Sequence, residues 1–341
     1  MGEHRSVIGT RTGQSPAERT RRRVGLGEKR TWPASFADRL TDSIPAARDV
    51  LRLLRQGGFA QRDLSDAARI PVNTADDLPP VTREQTGVTW VGHATYLLRI
   101  GGLNVLTDPV WSSRIPGQIR RITPVGLPWE ALPRVDAVVI SHNHYDHLDA
   151  RTIRRLPRDT PVFVPARLGR WFHRRGFTRV TELDWWEYAE LDGVEFEFVP
   201  AHHWSRRSPF DTCRTLWGGW VFSTPDTKVY FAGDTAYGHW FGEIGRRHPD
   251  IDLALMPVGA YEPAWFMRRV HVNPAEAVRA CDDLGARRMA TMHWGTFVLS
   301  QEPLLAPMRE AVAAWDSIGR PPEDLWTLSV GETRILEPRD T

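Results

Sequence analysis

The chain has 341 residues, a net charge of +2 and 41% hydrophobic residues, enough apolar content for one large α/β domain or two small ones. It shows neither a run of eighteen or more apolar residues nor an apolar N-terminal stretch, so a membrane-spanning helix and a secretory leader are excluded as readings and the expected compartment is the cytoplasm. Two cysteines, Cys213 and Cys281, are too few for a disulfide framework and are read as packing residues.

Residues 1–40 are rich in Arg, Gly, Ser and Thr, include "RTRRR" at 19–23 and lack apolar periodicity; they are expected to form a disordered basic arm, either a solvated tail or a contact for anionic lipid or nucleic acid. Residues 41–80 are expected to hold a lead-in helix over 42–56. Asp42 or Ser43 would cap it, Ala47, Val50, Leu51 and Leu54 would dock on the main domain, and Gly57 and Gly58 would end it. From 81 to 338 the pattern is that of one catalytic domain. "VTWVGHATYLLRI" (88–100) and "LNVLTDP" (103–109) read as a hairpin about Gly101-Gly102, and "DAVVI", "TPVFVP", "TRVTEL" and "VEFEFVPA" as further strands. "WGGWVFS" and "KVYFAGD" flank the turn "TPDT", and "IDLALMPVG", "RRMATMHW" and "DLWTLSVGETRIL" complete the strand set. Helices are expected after His147, over 273–284 with Pro274 in the first turn, and over 302–318. Many antiparallel strands with occasional helices indicate an α+β fold in which two sheets pack together with helices outside, an αββα sandwich. The 15 tryptophans fit either core packing or an aromatic-lined surface for an apolar or amphipathic ligand.

Residues 141–147, "SHNHYDH", place His142, His144, Asp146 and His147 between an apolar strand and a helix. On an extended loop, residues two apart point the same way, so His142 and His144 can hold one ion while Asp146 and His147 reach a second. Imidazole and carboxylate suit Zn²⁺ and related ions. Further polar residues end apolar strands: His203 after "VEFEFVPAHH", Asp234 after "KVYFAGD" and His293 after "RRMATMH". The motifs of a serine elbow and of a phosphate-binding P-loop are both lacking in the sequence.

"SHNHYDHL" resembles the H-x-H-x-D-H signature of the metallo-β-lactamase superfamily, and "AHHW", "FAGDT" and "MHWGTF" follow in the order of its later ligand motifs. More specifically, "ISHNHYDHLD", "ELDWWE", "FAGDTAY", "GAYEPAWFM", "HVNPAEAV" and "HWGTF" resemble the N-acylphosphatidylethanolamine-hydrolysing phospholipase D family over roughly 81–336. The resemblance implies a metallo-β-lactamase-like sandwich with two zinc ions. His142, His144 and His203 would hold one and Asp146, His147 and His293 the other, with Asp234 between them; His203 is preferred to the adjacent His202 because it precedes Trp204. It also implies that Tyr145 and His271 face the substrate phosphate and that His93 supports the site from behind. His4, His173, His239 and His248 are read as surface residues.

The activity so implied is hydrolysis of a phosphodiester, in the first instance a phospholipid, by hydroxide bridging the two ions. Asp146 would orient the nucleophile, and Tyr145 or His271 would bind oxygen or protonate the departing alkoxide. In "AWFMRR" (264–269), Trp265 and Phe266 would either insert at a lipid surface or pack inside the sandwich. Arg206 and Arg207 would contact an anionic substrate or form salt bridges. The rival readings are a zinc hydrolase of a lactone or a cyclic phosphodiester on the same fold, and a nuclease or nucleic-acid-binding protein using the basic arm; nucleic acid is not the expected partner. Peripheral membrane contact and a homodimer are both compatible with the sequence.

Overall fold

The computed structural model describes residues 20–57, 63–74 and 77–339. The chain order begins β1 (Arg22–Arg23), α1 (Ala47–Arg55), β2 (Thr86–Gly92), β3 (Thr95–Ile100), β4 (Leu103–Thr107), β5 (Arg114–Ile115), β6 (Ile119–Arg120), β7 (Ala137–Val139), α2 (Ala150–Arg155), β8 (Val162–Pro165) and α3 (Gly169–His173). It continues with β9 (Val180–Leu183), β10 (Glu187–Leu191), β11 (Val194–Val199), β12 (Gly219–Ser223), β13 (Lys228–Phe231), α4 (Trp240–Arg247), β14 (Leu253–Pro257), α5 (Ala264–Met267), α6 (Pro274–Asp283), β15 (Arg288–Met292), α7 (Ala306–Ser317), β16 (Leu325–Trp326) and β17 (Thr333–Leu336). Seven strands form one sheet in the order β17-β2-β3-β4-β7-β8-β9, and eight form the other in the order β1-β10-β11-β12-β13-β14-β15-β16.

Each sheet is antiparallel on one side and parallel on the other: β17 to β4 and β10 to β13 alternate, while β4-β7-β8-β9 and β13-β14-β15-β16 run together. Period-two alternation makes the layers. Tyr96 and Leu98 of β3 enter the core between the sheets, whereas Leu97 faces the helices α2 and α3. Phe163 and Phe196 stack across the interface at 4.3 Å. On the far side, α4, α6 and α7 cover the eight-stranded sheet with Ile244, Val278 and Trp315. The expected αββα sandwich is therefore the architecture. In α6, Asn273 accepts from the Glu276 amide and Pro274 opens the first turn, as the sequence predicts.

Several expectations are corrected. Residues 20–40 are not a loose arm. Arg21 pairs with Glu195 and Glu197, Arg22 and Arg23 pair with Glu187 and Glu190, and Phe36 is wholly buried. Arginines that look like a solvated tail thus neutralise a row of sheet-edge acids, while residues 1–19 lie outside the described chain. The boundary at 81 is no boundary either, because β1 pairs with β10 and Val72 bridges Val330. Helix α1 is shorter than expected, is capped through Asp49 rather than Asp42 or Ser43, and leaves Val50, Leu51 and Leu54 exposed while burying only Leu53; Gly58 lies outside the described residues. Finally, "VTWVGHATYLLRI" is two strands folded back at His93 and Ala94, and the closing segment divides between the two sheets as β16 and β17. His248, read as a surface residue, is buried with Nε2 3.3 Å from Glu197.

Candidate metal centre

The site forms where strands end. The parallel strands β4, β7, β13 and β15 stop at one edge of the sandwich and hand over to Asp108, the loop 141–148, Asp234 and His293. Asp108 holds the loop: its carboxylate accepts from the amide (2.7 Å) and the hydroxyl of Ser141. At the other end Asp149 caps α2, accepting from the Arg151 and Thr152 amides. Between these ties the side chains turn inward.

His142 Nε2 and His203 Nε2 lie 2.8 and 3.2 Å from His144 Nδ1, and 3.8 and 3.7 Å from Asp234 Oδ2. On the other side His147 Nε2 is 3.1 Å from Asp234 Oδ2 and 3.5 Å from Asp146 Oδ2. His293 Nε2 is 3.1 Å from Asp234 Oδ1 and 3.5 Å from Asp146 Oδ2. The geometry gives two four-residue ligand groups, His142-His144-His203-Asp234 and His93-Asp146-His147-His293, with Asp234 touching both, and two overlapping groups of three, Asp108-His142-His147 and Asp234-His271-His293. His203 faces the cluster, whereas His202 turns away and its Nδ1 contacts the Thr41 hydroxyl at 2.5 Å.

The remaining residues stand around these groups. His93 sits against the second group, with Nε2 2.9 Å from Asp146 Oδ2 and its ring 4.1 Å from that of His293. Asp108 was missed; it is fully buried and its Oδ2 is 2.7 Å from His147 Nδ1, which fixes that ring. The signal was present, since Asp108 ends an apolar strand as Asp234 does. Tyr145 donates its hydroxyl proton to the Arg207 carbonyl at 2.6 Å. Arg207 lies over the Tyr145 ring and donates to the Asn143 and His144 carbonyls at 3.0 and 3.4 Å, whereas the exposed Arg206 donates to the Ser208 carbonyl. It is thus Arg207, not Arg206, that reaches the loop. His271 approaches both groups, with its ring 5.3 Å from His203 and 5.5 Å from His293. Trp265 and Phe266 are half-buried on α5, edge-to-face with one another. His93, Asp108 and His293 all have positive φ, a conformation that costs non-glycine residues energy and recurs where a site dictates the backbone.

Electrostatics favours a cation here. Burial, reinforced by neighbouring histidines, holds His142 and His203 well below the usual imidazole range and brings His93 to about 3; burial likewise brings His144 and His271 to about 4. These rings are neutral at pH 7, the form in which imidazole binds metal. Asp146 and Asp234 stay ionised despite burial because His147, chiefly, pairs with them. Burial opposes charge on His147 and His293 too, but the carboxylates overrule it, raising His147 well above its ordinary value and His293 to about 9. Protons thus supply the positive charge that a metal would otherwise supply. His147 Nε2, His293 Nε2 and Asp234 Oδ1 are buried without an aligned hydrogen bond although they are only 3.1 Å from a neighbour, so the donor set fits cations better than it fits itself.

A family model described as a β-lactamase superfamily domain matches residues 103–294. The chain belongs to the metallo-β-lactamase superfamily. An uncharacterised protein of Mycobacterium tuberculosis is 41% identical over 78% of this chain and 74% of its own length. An N-acyl-phosphatidylethanolamine-hydrolyzing phospholipase D of Caenorhabditis elegans is 37% identical over 67% of this chain and 69% of its own. Among solved structures, a metallo hydrolase from Ignicoccus hospitalis superposes with a TM-score of 0.57 at 22% identity, covering 74% of this chain and 99% of that one. With such relatives and this donor set the protein is a metal-dependent hydrolase. Among the described residues no helix is long and apolar enough to cross a membrane.

Proposed function

We propose that the protein is a dinuclear zinc phosphodiesterase that hydrolyses a phospholipid in the manner of the N-acylphosphatidylethanolamine phospholipases D. The observation that carries this reading is the pair of ligand groups meeting at Asp234, seven of whose members carry the superfamily's motif. His142, His144 and His203 would hold one ion, Asp146, His147 and His293 the other, and Asp234 both. When bound, two zinc ions supply Lewis acidity for the phosphoryl oxygens and bring the pKa of water to about 7.

The chain's own groups do the rest. Asp146, anchored by His93, orients the attacking water. His271 keeps a buried Nδ1 without a partner, and as a neutral ring it can donate to the oxygen of the departing arm. Tyr145 acts through Arg207, since its proton is already given to that residue's carbonyl. A lipid substrate is supported by the relative in Caenorhabditis elegans and by a surface that suits an interface: Val50, Leu51 and Leu54 of α1 are exposed, and the same helix reaches Trp265 through Arg52, which stacks on it at 4.1 Å.

The test is incubation of metal-loaded protein with N-acylphosphatidylethanolamine beside a panel of lactones and cyclic phosphodiesters, with products identified by mass. N-acylethanolamine and phosphatidic acid are expected, with about two zinc ions per chain by elemental analysis. Turnover of a lactone alone would overturn the phosphodiesterase reading.

A further inference from the structure

Beside the metal loop, on the far side of Tyr145, lies a groove of about 400 Å³ whose wall holds four arginines, Arg114, Arg151, Arg154 and Arg207, against one acid, Asp149. That acid is already engaged. Its Oδ2 accepts from Ser112 Oγ, the Thr152 amide and Thr152 Oγ1, and its Oδ1 accepts from the Arg151 amide. Among the described residues Arg114, Arg151, Arg154 and Arg207 form no salt bridge, whereas the neighbouring Arg155 pairs with Glu130. Arg175, stacked on Trp171 and close to Arg154, adds a further cation behind the groove. Four cations against a single carboxylate in the wall, with no ion pair formed, leave it with a net positive charge that an anion would offset.

The groove is joined to the metal centre. Arg207 reaches from its wall to the carbonyls of Asn143 and His144, and Tyr145 closes the contact by donating to Arg207. An anion seated here is therefore next to the loop that carries His142, His144, Asp146 and His147. A second cavity, bordered by His271, holds Glu262, Glu276 and Glu310 with one cation, Arg268, and is net acidic. The two cavities therefore differ in the sign of their charge.

We propose that the arginine groove binds a second phosphate carried on one arm of the substrate, so that the preferred substrate is a phosphodiester with a neighbouring phosphate group. The assignment rests on the phosphodiesterase reading and narrows it. Guanidinium suits phosphate because its planar donors engage two oxygens at once. Arg151 and Arg154, exposed on α2, would make the outer contacts and Arg207 the inner one.

The experiment compares two p-nitrophenyl diesters that differ only in that second phosphate: thymidine 5′-(p-nitrophenyl phosphate) with and without a 3′-phosphate. The zinc-loaded protein is expected to favour the 3′-phosphorylated compound at least tenfold in kcat/KM at low salt, and the preference should shrink as salt rises. Arg151→Gln and Arg154→Gln, at exposed positions that leave the fold intact, should each reduce that ratio about fivefold. Equal kcat/KM for the two diesters in the unaltered protein, or an unchanged ratio in both variants, overturns the groove. If neither diester is cleaved, the phosphodiesterase reading is left to the lipid assay above, and calorimetry decides the groove with thymidine 3′,5′-bisphosphate against thymidine 5′-phosphate. Tighter binding of the bisphosphate that Arg151→Gln and Arg154→Gln weaken supports it; equal binding overturns it.

Discussion

Asp108 shows how one residue at the edge of a site can govern it. Its carboxylate fixes the His147 ring through Nδ1 and holds both the amide and the hydroxyl of Ser141, so it sets the start of the ligand loop and the direction of one ligand together. Burial raises its pKa, but its partners keep drawing it towards the ionised form. Asp108→Ala should therefore leave His142, His144 and Asp146 in the sequence yet weaken zinc binding by about 10- to 100-fold, the usual range for a partner that orients a metal-binding histidine. Competition with a chelator measures this, and an unchanged affinity would mean that the loop orients His147 unaided. The proposed ligands themselves were legible because each ends an apolar strand in a motif. Asp108 went unread because an aspartate followed by proline looks like an ordinary turn. Arg207 was read only beside Arg206, since alternation along a loop does not say which of two adjacent arginines faces inward.

At the scale of elements, sequence pattern identified most strands but misjudged two segments that join the sandwich from upstream. Residues 20–40 carry little apolar periodicity because their partners are acids of β10 and β11 more than 150 positions away, and pairing of that kind leaves no local signature. Arg39 makes a similar contact across 145 positions: it is 7% exposed and forms a two-point contact with Asp184, between β9 and β10. Arg39→Ala would leave that carboxylate buried with one partner fewer, and a loss of about 3 kcal/mol is expected in chemical denaturation; a loss below about 0.5 kcal/mol would mean that the segment is only loosely attached. Helix α1 errs in the opposite sense, for its leucines are periodic but face outward. Leu51 and Leu54 are 47% and 53% exposed, so Leu51→Ser with Leu54→Ser should leave the denaturation midpoint nearly unchanged. The same double variant should weaken binding to anionic phospholipid vesicles several-fold if this face meets lipid, as proposed above. Vesicle binding equal to that of the unaltered protein would remove α1 from the interface.

For the whole molecule, the metal centre and the fold are linked through protons. In the metal-free protein His93, His142, His144, His203 and His271 sit below the ordinary histidine value of 6.5, the first at about 3 and two others at about 4. As pH falls below 6.5 the unfolded chain takes up protons on these residues and the folded chain does not, so stability declines towards acid. His147 and His293 have the opposite sign: raised above 6.5, the latter to about 9, they bind protons in the folded state that the unfolded chain releases first, so their contribution is present below 6.5 and is lost as pH rises through 9. The metal-free protein should therefore be most stable near pH 6.5 to 7 and weaken on both sides. Zinc binding requires His147 and His293 as free bases, so loading at pH 7 should release about two protons per chain, visible as a buffer-dependent heat in calorimetry. Once the metal is bound, the alkaline loss of stability should disappear, because a cation then balances Asp146 and Asp234 in place of the two protons. Chelation should leave the protein folded, since its core between the sheets does not depend on the site, but less stable by about 2.7 kcal/mol than at a free zinc concentration a hundred times Kd. Stability profiles of the metal-free and loaded protein from pH 5 to pH 10 decide the matter: parallel curves above pH 7 would show that metal and protons do not compete for the carboxylates.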